Sequence, residues 1–122
     1  MAVEGRLKKR KRAHRRGHLA EYLAALYLVL KGYRILALRY RTPLGEIDII
    51  ARKGELVAMV EVKARKAETT AVDAVSFESQ RRIRAAADVW LARMRGTGHL
   101  SLRFDIVAIL PWSWPRHFGD AF

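Results

Sequence analysis

The 122-residue chain contains no cysteine, which excludes disulfide bonds and thiolate metal sites and makes the cytoplasm the expected compartment. Proline is scarce, with three residues, and no internal repeat is visible. The length is that of about one domain, and a domain of this size can bury one ordinary core. The hydrophobic fraction of 51% agrees with such a core.

Acidic residues are also scarce, with 12 Asp and Glu against 24 Lys and Arg, for a net charge of +12. Residues 1–18 hold eight of the basic side chains and one acid, Glu4. We therefore predict a basic, disordered arm over residues 1–16 and a folded domain over residues 17–122. The charge favours a nucleic-acid partner through phosphate contacts and counterion release. The alternative is an arm that serves only solubility.

No hydrophobic run is long enough to cross a membrane. The apolar stretch over residues 19–30 follows a basic segment, as in a signal peptide, but Glu21 lies inside it and no small-residue cleavage site follows. A bilayer span needs about 20 apolar residues. We therefore expect no membrane partner and predict a globular helix from Gly17 or His18 to Lys31, with Gly32 as its stop.

The rest of the chain alternates between strand and helix patterns. It predicts strands at residues 33–41, 45–52, 55–65 and 100–110, and a helix from about residue 71 to residue 94. The last strand follows a helical crossover, so it should lie parallel to a neighbour. The order α-β-β-β-α-β predicts a single small α/β domain with a central mixed sheet flanked by helices.

Four charges interrupt the two apolar strands in GEIDIIARKGELVAMVEVKAR, residues 45–65. They are Glu46, Asp48, Glu61 and Lys63. Residues that alternate along a strand share a face, and a hairpin turn centred on residues 53–54 would place all four charges on one face. That register pairs Asp48 with Met59 and Glu46 with Glu61.

Like charges opposed across a sheet destabilise it unless something neutralises them. A hard divalent cation does so, and Mg²⁺ typically needs one or two carboxylates besides water and substrate phosphate. Two alternatives stay open: this end of the sheet is simply exposed to water, or a bulge turns Asp48 to the other face.

These residues resemble a known nuclease pattern. Glu21 on the first helix, Asp48 on one strand and Glu61-x-Lys63 on the next are similar to the PD-(D/E)xK superfamily, which has a restriction-endonuclease-like fold. The short separation of Asp48 and Glu61 resembles the archaeal Holliday-junction resolvases. The words GEIDIIA, VEVKAR, RFDIVAI and the final DAF resemble the YraN family of predicted bacterial endonucleases, over a match from about Gly17 to Phe122.

The resemblance implies metal-dependent hydrolysis of phosphodiester bonds in nucleic acid, with DNA favoured over RNA and branched DNA as a candidate. Asp48 and Glu61 would bind Mg²⁺ or Mn²⁺, Glu21 would bind a second ion or an ordered water, and Lys63 would orient the nucleophile. The resemblance also suggests a homodimer. Candidates for supporting or nucleic-acid contacts are Glu46, Gln80, Arg65, Arg81 and Arg82.

The chain departs from the family pattern at residues 79–80, where a lysine is common and this chain has Ser-Gln. A first competing function is therefore a nucleic-acid-binding module that does not cleave. A second is an assembly subunit that uses the aromatic tail after residue 110. For Trp112 and Trp114 we favour sealing the core over stacking on bases. We interpret Asp105 as structural, paired with Arg103 or with a basic residue of a helix.

Overall fold

The computed structural model describes residues 18–65 and 75–122. The predicted arm over residues 1–16 and the predicted helical residues 71–74 lie outside this part. The elements are helix α1 over residues 18–30, strands β1 (Arg34–Thr42), β2 (Gly45–Lys53) and β3 (Leu56–Ala64), helix α2 (Phe77–Arg93), and strands β4 (Ser101–Ile109) and β5 (Arg116–Phe118). The predicted α-β-β-β-α-β order is confirmed, with β5 as an addition.

The five strands form one mixed sheet in the order β1-β2-β3-β4-β5. Strands β3 and β4 are parallel, and the other neighbours are antiparallel. The parallel pair follows from α2, which provides the crossover between its strands. Strand β5 was not predicted, because three residues are too few to show a period of two.

Alternation along the strands divides the core into two layers. One layer contains Ile50 and Met59 with Ile83 and Trp90 of α2. The other contains Ile49, Val60 and Val107 with Ala24 and Leu28 of α1. Each helix thus covers one face of the sheet, as the sequence predicts for flanking helices.

Helix α1 ends as expected at Gly32, whose φ of +96° is easily adopted only by glycine. The Gly32 N–H donates to the carbonyl of Val29 at 2.9 Å, and the Tyr33 N–H donates to the carbonyl of Leu28 at 3.0 Å. The buried face of α1 consists mostly of alanines, and its larger apolar side chains point to solvent. No helix in the described part of the chain is long and apolar enough to span a membrane.

Helix α2 begins later than predicted. Ser76 is its N-cap, and its hydroxyl accepts a hydrogen bond from the Ser79 N–H at 3.1 Å. The helix ends at Arg93, with Met94 as its C-cap. The prediction extended too far because apolar residues before Ser76 continue the helical spacing, although the cap stops the helix.

The β2–β3 turn corrects the predicted register. Lys53 pairs with Leu56, so the turn consists of Gly54 and Glu55. The observed turn is therefore centred one residue later than the predicted centre at residues 53–54. Gly54 has a φ of +62°, which the first turn residue of a tight hairpin requires. Ile50 pairs with Met59, so the predicted pairing of Asp48 with Met59 is wrong.

A prediction about the segment between β4 and β5 also fails. We expected Trp112 and Trp114 to seal the core, but both side chains are exposed.

Asp105 on β4 is completely buried and fully hydrogen-bonded. The Arg103 guanidinium donates to its two oxygens at 2.7 and 2.6 Å, and the Asp120 N–H donates at 3.0 Å. His117 Nε2 lies 2.7 Å from one carboxyl oxygen. Burial acts to raise the pKa of Asp105, but His117, Arg103 and the Asp120 N–H together lower it to about 2. The predicted structural pairing with Arg103 is confirmed.

Replacing Asp105 with Asn should lower the free energy of unfolding by about 3 kcal/mol, because it removes one partner of a buried ion pair. Urea denaturation at neutral pH measures the change. The matched control is Glu78→Gln, which breaks an exposed 3.0 Å pair with Arg81 and should cost less than about 1 kcal/mol. Equal losses in the two variants would contradict the structural role of Asp105.

The same pair predicts a pH dependence. The pKa of Asp105 falls from 3.8 to about 2 on folding, so its stabilising effect is complete above the unfolded value and is lost as the pH falls through the folded value. The stability difference between the wild type and Asp105→Asn should therefore narrow between about pH 5 and pH 2. A constant difference across this range would count against the low pKa.

Candidate active site

Strands β2 and β3 stop pairing where the charged residues begin. The last pair in their register is Ile49 with Val60, although β2 starts at Gly45 and β3 continues to Ala64. Beyond that pair, the Val62 N–H donates to Asp48 Oδ2 at 2.8 Å. A side-chain carboxylate thus accepts a bond that a strand carbonyl would accept in a continued ladder, and Asp48 is held against β3.

On its other side, β2 meets a kink in β1. Arg39 has a φ of 51°, which is uncommon for a residue with a side chain, and it lies opposite Asp48 between two regular pairs. Ile47 packs in the α2 layer, whereas Ile49 packs in the α1 layer. Strict alternation through β2, which underlay the prediction of one charged face, is therefore wrong at Asp48.

Glu61 and Lys63 alternate along β3 and meet on one side of it. Lys63 Nζ lies 3.3 Å from Glu61 Oε1, and both side chains are largely buried. The β3 backbone is fixed here by the parallel ladder, in which Glu61 pairs with Ile106. The structure therefore brings Asp48, Glu61 and Lys63 together, as the sequence predicted.

The two carboxyls at this site interact directly: the charge of Glu61 disfavours ionisation of Asp48, and a hydrogen bond with Asp48 favours the ionised form of Glu61. Burial and then the charge of Glu61 raise the pKa of Asp48 to about 8, and Glu21 and Glu46 add to the effect. Burial also raises the pKa of Glu61, although Lys63 opposes that change. No Lys or Arg among the described residues forms an ion pair with Asp48. Both carboxyls are ionised together at neutral pH only when a cation compensates their charge; otherwise one of them holds a proton.

Glu21 reaches this region from α1. Its Oε2 accepts a hydrogen bond from Arg39 Nη1 at 2.9 Å, and the Arg39 guanidinium also lies 5.6 Å from the centre of the Tyr22 ring. Although Glu21 is paired with Arg39, the negative charge of Glu21 raises the pKa of both Asp48 and Glu61. Within residues 18–65 and 75–122, no three His, Asp or Glu side chains converge as a ready metal site.

A cleft of about 510 Å³ opens beside Asp48 and Glu61. Its walls are the β1–β2 turn, residues 42–45, and the first turns of α2, with Ser79 and Arg82. Glycine is required at position 45, because a Cβ there would collide with the backbone carbonyl of Arg82. This contact brings α2 directly against the start of β2 and sets the width of the cleft.

Among the supporting residues that the sequence proposed, Glu46 and Arg82 line the cleft. Glu46 also lies 3.5 Å from Arg41. The other three make contacts elsewhere: Arg81 pairs with Glu78, Gln80 Nε2 donates to the carbonyl of Val75 at 3.2 Å, and Arg65 donates to the carbonyl of Ala64 at 2.8 Å.

Comparison with known proteins places the chain in a family. The model of an uncharacterised protein family, UPF0102, matches residues 20–109. The chain belongs to the UPF0102 family. It is 68% identical to a UPF0102 protein of Agrobacterium fabrum over 122 residues, the full length of both chains. It is 62% identical over 122 residues, again the full length of both, to one of Rhizobium leguminosarum, and 66% identical over 111 residues, 91% of each chain, to one of Sinorhizobium medicae.

Two contributors to this UPF0102 site escaped the sequence analysis. Arg39 is one of 24 basic residues in the sequence, and nothing local indicates that it opposes Asp48 and holds Glu21. Ser79 was read as the position of a missing lysine, yet it lines the cleft. Both contacts join segments that are distant in sequence.

The donor set of the UPF0102 chain fits a divalent cation. Asp48 and Glu61 would supply oxygen ligands, and such an ion would allow both to be ionised despite their burial. Two carboxylates are sufficient for Mg²⁺, which keeps several waters and takes further oxygens from a substrate phosphate. Glu21 would supply a third ligand through Oε1 while its Oε2 stays bonded to Arg39, or through both oxygens after leaving Arg39.

Mg²⁺ or Mn²⁺ should stabilise the UPF0102 chain against unfolding, by about 2.7 kcal/mol at a hundredfold excess over the dissociation constant. Asp48→Asn should abolish this gain and should be more stable than the wild type without metal by about 1–2 kcal/mol, because it removes a buried repulsive charge. Thermal unfolding with and without metal measures both effects. Glu78→Gln, which removes an exposed carboxylate of α2 outside the cleft, is the control and should keep the wild-type metal response. A metal response that Asp48→Asn retains would place the ion elsewhere.

Proposed function

We propose that this protein is a metal-dependent nuclease that hydrolyses phosphodiester bonds in nucleic acid, with DNA favoured over RNA. The observation that carries the proposal is the pair of largely buried carboxyls, Asp48 and Glu61, beside the Lys63 ammonium at the unpaired end of β2 and β3. The resemblance of Asp48 and Glu61-x-Lys63 to the PD-(D/E)xK and YraN patterns supports the same reaction.

Asp48 and Glu61 would hold Mg²⁺ or Mn²⁺. When bound, the ion would lower the pKa of a water molecule and stabilise negative charge on the phosphate. Lys63, which is 3.3 Å from Glu61, orients the attacking water and counters phosphate charge. Glu21, which Arg39 holds near the pair, is the candidate contact for a second ion or an ordered water.

The cleft supports a polymeric substrate. It lies at the surface, and its α2 wall carries Arg82, whose side chain is 66% exposed. Such an arginine is suited to a phosphate oxygen, since its guanidinium donates several hydrogen bonds from one plane. The chain's net charge of +12 would attract the nucleic-acid backbone to this surface.

Cleavage of a panel of substrates tests this function. The panel contains four-way junction, flap, duplex and single-stranded DNA together with matched RNAs, each with Mg²⁺, Mn²⁺ or EDTA. The wild type should cut at least one substrate only with metal. Asp48→Asn and Lys63→Ala should each reduce the rate by at least about 100-fold, because each removes a group that acts on the reacting phosphate.

Glu78→Gln is the control and should cleave at the wild-type rate, because Glu78 pairs with exposed arginines on α2. Both site variants should still bind the substrate, because binding depends mainly on the basic surface. Cleavage that survives in both site variants would reject the assignment of the site.

One observation favours a second candidate function, a nucleic-acid-binding module without cleavage. Glu21 pairs with Arg39, and in the described part of the chain no third carboxylate joins Asp48 and Glu61. The exposed arginines at the start of α2 would still contact phosphates. Binding with a steep salt dependence, and no cleavage with any metal in the panel, would support this alternative.

A further inference from the structure

Helix α1 presents a large apolar face to solvent. Leu19, Leu23, Leu26 and Leu30 recur at helical spacing and are between 43% and 70% exposed. The side of the helix that packs on the sheet is occupied instead by small residues and Leu28. The four exposed leucines therefore belong to neither of the two core layers of the described chain.

The segment between β4 and β5 extends this apolar face. Leu23, Leu26, Tyr27 and Leu30 of α1 line one groove of about 270 Å³ together with Leu110 and Trp114. None of these six side chains is charged. We call the four exposed leucines of α1 and this groove the α1 face.

Trp112 projects from the same segment. Its side chain is fully exposed, and its φ of 61° is in the left-handed region, which is unfavourable for a bulky residue. A strained, exposed tryptophan is not explained by packing within the chain. Exposed tryptophans are enriched among the residues that dominate protein interfaces.

The size and chemistry of this surface favour a protein partner over nucleic acid. The four leucines with Trp112 and Trp114 expose on the order of 800 Å², which exceeds the largest apolar patch of a typical monomer and matches one side of a standard interface. A nucleic-acid backbone needs cations, and the groove offers none.

A second copy of the chain is the occupant that this surface fits. The same surface supplies a projecting aromatic side chain, Trp112, and an apolar groove next to it. In a two-fold dimer each copy presents the same patch to the other, so the tryptophan of each copy could enter the groove of its partner and the contact would form twice. The uncharged groove also lets two strongly basic chains meet without opposing their charges there.

We propose that the protein forms a two-fold homodimer through the α1 face, with Trp112 of each copy seated in the groove of the other. The interface buries the outer side of α1. Glu21 and Tyr22, which lie on the same helix, accept hydrogen bonds from Arg39 at the candidate active site. Dimerisation therefore restrains the helix that places the Glu21–Arg39 pair. The dimer itself does not depend on nuclease activity.

Sedimentation velocity of the full chain over about 1–100 µM protomer is the first test. The wild type should sediment with twice the 14.0 kDa chain mass, and Leu26→Glu and Trp112→Ala should sediment as monomers. Phe77→Glu is the matched control, since Phe77 is 82% exposed on α2 and lies outside the α1 face. It should remain dimeric. Circular dichroism and urea unfolding check that every variant is folded.

Cross-linking tests the seating of Trp112. The wild type has no cysteine, so Leu26→Cys and Ser113→Cys each introduce a single thiol, and Ser113→Cys places it beside an intact Trp112. After the two variants are mixed and oxidised, disulfide-linked pairs of unlike chains should form, whereas Phe77→Cys mixed with Leu26→Cys should yield at least about tenfold fewer.

Three results would overturn the proposal. The first is a wild-type monomer throughout the concentration range, and the second is a dimer that both face variants retain. The third is a monomer that binds vesicles of anionic phospholipid through Leu26 and Trp112, which would assign the α1 face to a membrane surface. Cleavage assays on the same samples report on the nuclease proposal separately.

Discussion

The hydrogen bond from the Val62 N–H to Asp48 Oδ2 is the contact on which the candidate site depends. It occurs where the β2–β3 ladder has ended, and it draws a carboxylate into the gap between the two strands. Glu61 and Lys63 follow on the edge of that gap. The contact thus converts the end of a hairpin into a partly buried cleft next to α2 that is lined by carboxyl groups.

The sheet contains one buried aspartate, Asp105, and one partly buried aspartate, Asp48, in opposite electrostatic states. Arg103, His117 and a backbone N–H surround Asp105 and lower its pKa to about 2. Asp48 has one backbone donor and faces other carboxyls, which with burial raise its pKa to about 8. The first arrangement satisfies the charge within the fold, as a structural ion pair does. The second leaves charge to be compensated from outside, which is typical of sites that bind cations or perform chemistry.

Most of the fold could be predicted from local patterns. The three long strands of the first half, the helix stop at Gly32 and the parallel position of β4 all follow from alternation, turn residues and connection length. The turn register was off by two residues, because Gly54 was placed second in the turn although its positive φ suits the first position. The short β5 carries no periodic signal, and its pairing is visible only in three dimensions.

The sequence by itself determined the elements and the identity of the charged residues, since Asp48, Glu61 and Lys63 are close along one hairpin and their spacing is local. Tertiary structure alone decided that Arg39 lies opposite Asp48 and pairs with Glu21. It also decided that Gly45 packs against the backbone of α2 and which side of α1 is buried. The physical reason is that these contacts join segments far apart in the chain. The helical spacing of apolar residues predicts that α1 has an apolar face. Packing against the sheet buries the side of α1 that carries the alanines and leaves the leucines exposed.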